Sequence, residues 1–102
     1  MQVNAKILND TLYISLDGEL DENSAGFVRE ELDSSFSNNF FKQVILDLNG
    51  LSFMDSTGIG VLIGRYKKLK EKNIPIFLSK PSNHVDKILK MTAIYDIMPK
   101  LN

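Results

Sequence analysis

Residues 52–66 read Ser-Phe-Met-Asp-Ser-Thr-Gly-Ile-Gly-Val-Leu-Ile-Gly-Arg-Tyr. An acid (Asp55), two hydroxyls (Ser56, Thr57) and Gly58 stand directly before an apolar run that carries Gly60 and Gly64. Three chemistries suit such residues: a glycine-rich cradle for phosphate, a nucleophilic serine, or a hydroxyl displayed for another protein to modify. A dinucleotide fingerprint needs G-x-G-x-x-G and an acid about 20 residues further on. Here the spacing is G-x-G-x-x-x-G, and residues 76–79, where the acid would fall, are Ile-Phe-Leu-Ser. The G-K-[ST] of a P-loop is absent as well. A hydrolase elbow needs G-x-S-x-G; Ser56 lies in no such setting, and His84 is the one histidine available as a base. Glu19, Asp21, Asp47 and Asp55 supply carboxylates, but with one histidine and no cysteine no metal site is expected. A phospho-accepting aspartate at Asp47, after Val-Ile-Leu, would want an acidic pair after the first strand and about one more βα unit than this chain offers. A purely structural reading stays open too: Asp55 or Ser56 is a natural helix N-cap.

Those residues must be held by a small scaffold. A chain of 102 residues is expected to form one domain, residues 1–102. Apolar residues make up 43% and charged residues 25%, as in ordinary globular proteins. The formal net charge of −1 gives no global field toward nucleic acid or an anionic membrane. No apolar run approaches the roughly 18 residues of a membrane span. The start, Met-Gln-Val-Asn-Ala-Lys, lacks the regions of a signal peptide, so the expected location is the cytoplasm.

Val3, Ala5 and Ile7, then Leu12, Ile14 and Leu16, alternate with polar residues around Asn9-Asp10, the pattern of a β-hairpin. Gly18-Glu19-Leu20-Asp21 is read as leaving the second strand. Asp21 or Asn23 would cap a helix to about residue 37, with Ala25, Val28, Leu32 and Phe36 inward. Residues 43–48, apolar at nearly consecutive positions, suit a central strand covered on both faces. A second helix over about residues 57–72 would bury Ile59, Leu62, Ile63, Tyr66 and Leu69 and leave Arg65 and the lysines largely outside. Pro75 marks the fourth strand as an edge strand or as starting there. A third helix from Pro81 would turn Val85, Ile88 and Leu89 inward, and the tail from residue 93 would form a helical turn or a short strand. The order β-β-α-β-α-β-α predicts an α/β domain with a mixed four-stranded sheet, an antiparallel hairpin followed by βα units. Gly60 and Gly64 share one helix face, where they permit close backbone approach by a neighbouring element or a partner.

The stretch Leu-Ser-Phe-Met-Asp-Ser-Thr-Gly-Ile-Gly-Val-Leu-Ile-Gly-Arg-Tyr, with Gly-Glu-Leu-Asp upstream and Val-Ile-Leu-Asp-Leu just before it, resembles the anti-sigma-factor antagonists of the STAS family, in particular their stage II sporulation type. The likeness runs over about residues 12–96. It implies a STAS fold and a partner switch without enzymatic activity or cofactor. In such a switch the unphosphorylated antagonist binds an anti-sigma factor that is also a serine kinase, and so releases the sigma factor. Phosphorylation of the serine after the motif aspartate, here Ser56, ends the binding, and a metal-dependent serine phosphatase reverses it. Asp55, Thr57, Gly58 and Ile59, with Glu19 and Asp21 of the Gly-Glu-Leu-Asp motif, would meet the kinase. Two alternatives accompany this reading: a STAS subunit of another stress-signalling switch, and a nucleotide-binding protein using residues 58–64. The family commonly carries a further helix after its last short strand, and the sequence ends at Pro99-Lys100-Leu101-Asn102.

Overall fold

Asn9 and Asp10 both adopt positive φ, 50° and 66°, the backbone of a two-residue type I′ turn. They join β1 (Gln2–Leu8) to β2 (Thr11–Leu20) as the expected antiparallel hairpin, with Leu8 opposite Thr11 and Gln2 opposite Asp17. The computed structural model describes residues 1–101. β2 does not end before Gly18; it continues through Glu19 to Leu20. Gly18 has φ 124°, and the register shifts between Gly18 and Glu19. This irregularity lets one long strand serve two parallel partners. Residues 11–15 pair with β3 (Gln43–Asp47), and residues 18–20 pair with β4 (Leu51–Met54). β5 (Ile76–Ser79) pairs with β3, and β6 (Lys100–Leu101) pairs with β5, both parallel.

The sheet therefore has six strands in the order β1-β2-β3-β5-β6, with β4 beside β2, rather than four. β4 and β6, of four and two residues, are too short to show alternation, and Asn49-Gly50 makes the approach to β4 look like a loop. β5 lies between β3 and β6, so Pro75 marks the start of an interior strand and not an edge. The proline carbonyl still joins the ladder by accepting from Val44 N at 3.0 Å.

Three helices follow the strands: α1 (Ala25–Ser37), α2 (Ser56–Lys70) and α3 (Asn83–Met91). The tail holds both expected forms, a 3-10 turn at Ile94–Asp96 and then β6. Leu12, Ile14 and Leu16 of β2, Val44 and Leu46 of β3, and Ile76 and Leu78 of β5 face the helices. Ala25, Val28, Leu32 and Phe36 of α1, Ile59, Leu62 and Leu69 of α2, and Val85 and Leu89 of α3 complete one core. Each fully buried large aliphatic contributes roughly 1.5–3 kcal/mol.

Two expectations about burial are corrected. Arg65 is not outside α2: its side chain is only 9% exposed and its Nε lies 3.1 Å from Asp33 Oδ1 on α1. Periodicity sorts residues by hydropathy, whereas an arginine stem packs like an apolar chain once its head is paired. β3, for its part, is not covered on both faces. Val44 and Leu46 are buried, but Ile45 and Asp47 are half-buried on the other side. Tyr13 and Phe77 flank Ile45 in register there, and none of the three belongs to the core. A consecutive apolar run signals a hydrophobic strand without saying how many layers cover it.

Candidate functional site

Strand pairing brings the candidate residues together. Glu19 is opposite Phe53 and Leu20 is opposite Met54 where β2 and β4 run side by side. The chain leaves β4 at Asp55, whose N–H donates to Leu20 O at 3.3 Å. Asp21 and Asp55 thus stand at neighbouring strand ends, from which α1 and α2 start. This is the place in an open α/β sheet where sites form.

Asp55 is the N-cap of α2, in extended backbone (φ −115°, ψ −170°), and its Oδ1 accepts from Gly58 N at 3.1 Å. Its carbonyl accepts from Ile59 N at 3.2 Å. Of the two caps the sequence offers, the acid is used and the serine is left over. Ser56 is the first residue of α2 and is exposed, with no side-chain hydrogen bond of its own among the described residues. Thr57 is half-buried.

Gly58 and Ile59 point inward. A Cβ on Gly58 would stand 2.6 Å from Met54 Cγ and 2.9 Å from Leu20 O, so the helix can lie this close to the sheet only with glycine there. Gly60 and Gly64 reverse the expectation of close packing within the monomer: a Cβ on either meets nothing within 4 Å. Of the three glycines, only Gly58 is explained by packing. All of residues 58–64 lie inside α2, so the segment forms no phosphate-binding loop.

The acidic side of the site is organised by Asp21. Its Oδ1 accepts from Asn23 N (2.9 Å) and Ser24 N (3.1 Å), and Ser24 Oγ donates to Glu19 O at 2.7 Å. The residue preceding α1, Ser24, makes no side-chain cap bond. Asp21 therefore shapes the turn into α1 with one carboxylate oxygen. Glu19 is exposed and Asp21 half-buried. Two exposed aromatics escaped the sequence reading. Phe53, 38% exposed, stacks on His84 with ring centroids 5.7 Å apart and an interplanar angle of 17°. Phe27, 48% exposed, lines a groove with Gly18, Glu19 and Asp21. Phe27 stands outside the quoted motifs and Phe53 inside the 52–66 stretch; strand pairing and helix phase put both beside the acids.

The arrangement displays one hydroxyl at a helix start within an acidic surround. No group of histidine, cysteine or carboxylate side chains suited to a metal ion occurs among the described residues. None of the described helices is long and apolar enough to cross a membrane.

Known proteins resemble this chain in sequence and in overall fold. An anti-sigma F factor antagonist of Paenibacillus polymyxa is 31% identical over 99 residues, covering 97% of this chain and 85% of that protein. An anti-sigma-B factor antagonist of Bacillus subtilis is 28% identical over 98 residues, covering 96% of this chain and 88% of that protein. The structure of the anti-sigma factor antagonist SpoIIAA in its unphosphorylated form superposes with a TM-score of 0.81 at 25% identity, over 99% of this chain and 89% of that one. The STAS domain family matches residues 2–102, nearly the whole length that builds the sheet, the helices and the Asp55-Ser56 corner, and the chain belongs to that family.

Proposed function

We propose that this protein is an anti-sigma-factor antagonist whose binding is switched at Ser56. The unphosphorylated form binds an anti-sigma factor that is also an ATP-dependent serine kinase, and so frees the sigma factor. Phosphorylation of Ser56 ends the binding, and a metal-dependent serine phosphatase restores it. The protein acts as a regulatory binding module, in the cytoplasm where transcription takes place, and not as an enzyme. The names of its relatives support this reading. The observation that carries it is Ser56, an exposed hydroxyl at the first position of α2, held beside Glu19 and Asp21 by the Asp55 cap.

The physics of the switch is local. A phosphate adds about −1.5 to −2 charge. At a helix N-terminus that charge is tolerated within the monomer. Buried in a contact beside Glu19, Asp21 and Asp55 it is not: desolvating a phosphate crowded by the chain's own carboxylates costs about 3 kcal/mol and weakens binding roughly a hundredfold. Glu19, Asp21, Asp55 and Thr57 form the contact surface. Gly58 and Ile59 set the distance of α2 from the sheet, and so the height at which Ser56 is offered.

The test is to incubate the protein with its cognate kinase and ATP and to locate phosphate by peptide mass. One phosphate on Ser56, abolished by Ser56→Ala with binding retained, is expected. Phosphate mainly on Thr57 or Ser52 overturns the assignment. The second reading, an antagonist in a stress-signalling switch, is favoured by the sigma-B names among the relatives. Competition between sigma F and sigma B complexes for this protein separates the two.

A further inference from the structure

β3 and β4 are joined by a tight turn over residues 48–51, in which Leu51 N donates to Leu48 O at 3.0 Å. Its two central residues, Asn49 and Gly50, are exposed. The Asn49 N–H donates to Asp47 Oδ1 at 2.9 Å, while the Asn49 side chain makes no hydrogen bond among the described residues. Gly50 O accepts from Gly18 N at 3.0 Å, where β4 begins to run beside β2, but Gly50 N–H has no acceptor among the described residues. Packing requires glycine at this position, because a Cβ would fall on the Asp17 carboxylate, 2.7 Å from its Cγ. Asn49 is the one asparagine of the chain that glycine follows.

We propose that Asn49-Gly50 is a site of spontaneous covalent modification, with water as its only co-reactant, and that conversion of Asn49 to isoaspartate loosens β4. The Gly50 nitrogen gives its proton to solvent base and attacks Asn49 Cγ. A five-membered succinimide closes, the bond from Cγ to Nδ2 breaks, and Nδ2 leaves as ammonia after taking up a proton. Water then adds to one of the two imide carbonyls. Opening at Cγ gives aspartate, whereas opening at the main-chain carbonyl leaves the chain running through Cγ as isoaspartate. No electron is gained or lost. A side chain on the following residue would crowd the attacking nitrogen, and glycine brings none. Isoaspartate lengthens the main chain by one methylene between two tied points, Leu48 N on Ser79 O at 2.8 Å and Gly50 O on Gly18 N. It also adds a carboxylate to a turn that already holds those of Asp47 and Asp17. Both changes act on the joint that sets the register of Glu19 with Phe53 and of Leu20 with Met54. The proposal is independent of the function assigned to Ser56.

Incubation of the full chain at about pH 8 and about 37 °C, with digestion and mass spectrometry at intervals, tests it. The peptide that holds Asn49 should gain about 1 Da in ordinary water and about 3 Da in water labelled with heavy oxygen. It should do so roughly tenfold faster than the peptide of any other asparagine, since only Asn49 precedes a residue without a Cβ. Isoaspartate should exceed aspartate in the product, and the rate should rise with pH because the nitrogen attacks as its anion. Asn49→Gln keeps an exposed amide and needs a six-membered ring, so it should stay unconverted over the same period. The isoaspartate form, separated by ion exchange, should show backbone hydrogen exchange over residues 51–55 about threefold faster or more than the unconverted protein, as a locally loosened strand does. Conversion at Asn49 no faster than at the other asparagines, aspartate without isoaspartate, or unchanged exchange over residues 51–55 in the isoaspartate form would each overturn the proposal.

Discussion

A carboxylate is used twice over at the corner where Ser56 is displayed. Asp55 caps α2 through Gly58 N, and by occupying the cap position it leaves the serine hydroxyl without an internal partner. Adding charge at Ser56 should therefore affect the partner and not the fold. Ser56→Asp is expected to keep the circular dichroism spectrum and melting temperature, since an acid in the first turn of a helix is favourable by roughly 0.3–1 kcal/mol. Affinity for the kinase, measured by calorimetry, should fall in the order wild type, Ser56→Asp, phosphorylated protein, because a carboxylate carries less charge than a phosphate. Equal affinity of the wild-type and phosphorylated forms would remove electrostatics as the basis of the switch. The glycines give a second contrast at this scale. Gly58→Ala forces a Cβ to 2.9 Å from a backbone oxygen, Leu20 O, and should cost about 1–3 kcal/mol in urea unfolding. Gly60→Ala meets nothing within 4 Å and should stabilise by about 0.5–1 kcal/mol. If Gly60→Ala also weakens kinase binding, the bare helix face beside Ser56 is part of the contact.

Between elements, the contacts that matter are polar as well as apolar. Asp33 on α1 accepts a hydrogen bond from Lys68 Nζ at 2.9 Å and forms an ion pair with Arg65, whose Nε lies 3.1 Å from Asp33 Oδ1 without a hydrogen bond between the two atoms. Asp33→Ala strands a nearly buried guanidinium, so it should destabilise by about 1–3 kcal/mol, more than Arg65→Met, which removes the charge and keeps the stem. At the other end of the fold, Asp86 on α3 accepts from Tyr95 OH at 2.6 Å and Lys100 Nζ at 3.0 Å, and pairs with Lys90 at 3.1 Å. The Tyr95 hydrogen bond first, then those of the two lysines, hold the Asp86 carboxyl well below the usual carboxylate range. Burial first, then the bond to Asp86, pushes the Tyr95 phenol up. A lowered carboxylate contributes stability above its unfolded pKa of about 3.9 and loses it as pH falls toward the folded value. The melting-temperature gap between wild type and Asp86→Asn should thus be full at pH 7 and narrow below about pH 4. A gap of constant width down to pH 2 would mean that the stability lost in Asp86→Asn does not come from ionisation of the carboxylate. The raised phenol works in the opposite direction, its contribution being lost above about pH 10.

Sequence reasoning reached these elements unevenly, for physical reasons. The hairpin, the α1 stripe and the start of α2 were legible because alternation, 3.6-residue spacing and cap chemistry are local signals. β4 and β6 were not, since a strand of two to four residues exists only through its partner. Arg65 was misplaced because its burial depends on Asp33, which lies 32 positions earlier on another helix. The acid corner was readable as two motifs, Gly-Glu-Leu-Asp and Asp-Ser-Thr-Gly. Their adjacency depends on the register of β2 with β4, which neither motif contains.

Over the whole molecule, charge is distributed more unevenly than a net charge of −1 suggests. Glu19, Asp21, Glu22 and Asp55 gather where β2 and β4 end, while Lys67, Lys68 and Lys70 occupy the last turn of α2. α2 has 15 residues, about 22 Å at 1.5 Å per residue, so the two poles lie more than two Debye lengths apart at physiological salt. A partner approaching Ser56 therefore senses the acidic pole and little of the basic one. Association with the kinase should be steered: raising ionic strength from about 150 mM to about 500 mM should lower the association rate about threefold and change the dissociation rate much less. Glu19→Gln should flatten that dependence, because the side chain is exposed and makes no hydrogen bond among the described residues that folding would miss. Asp21→Asn should flatten it too while keeping the oxygen that accepts from Asn23 and Ser24, which Asp21→Ala would lose at a cost of about 1 kcal/mol. Replacing Lys67 and Lys70 together by glutamine serves as the opposite control and should leave the salt slope unchanged. Stopped-flow association at four or five salt concentrations measures all of these slopes. If the lysine variant shifts the slope as much as Glu19→Gln does, the partner approaches along α2 rather than onto its N-terminal end, and the contact surface must be redrawn along that helix.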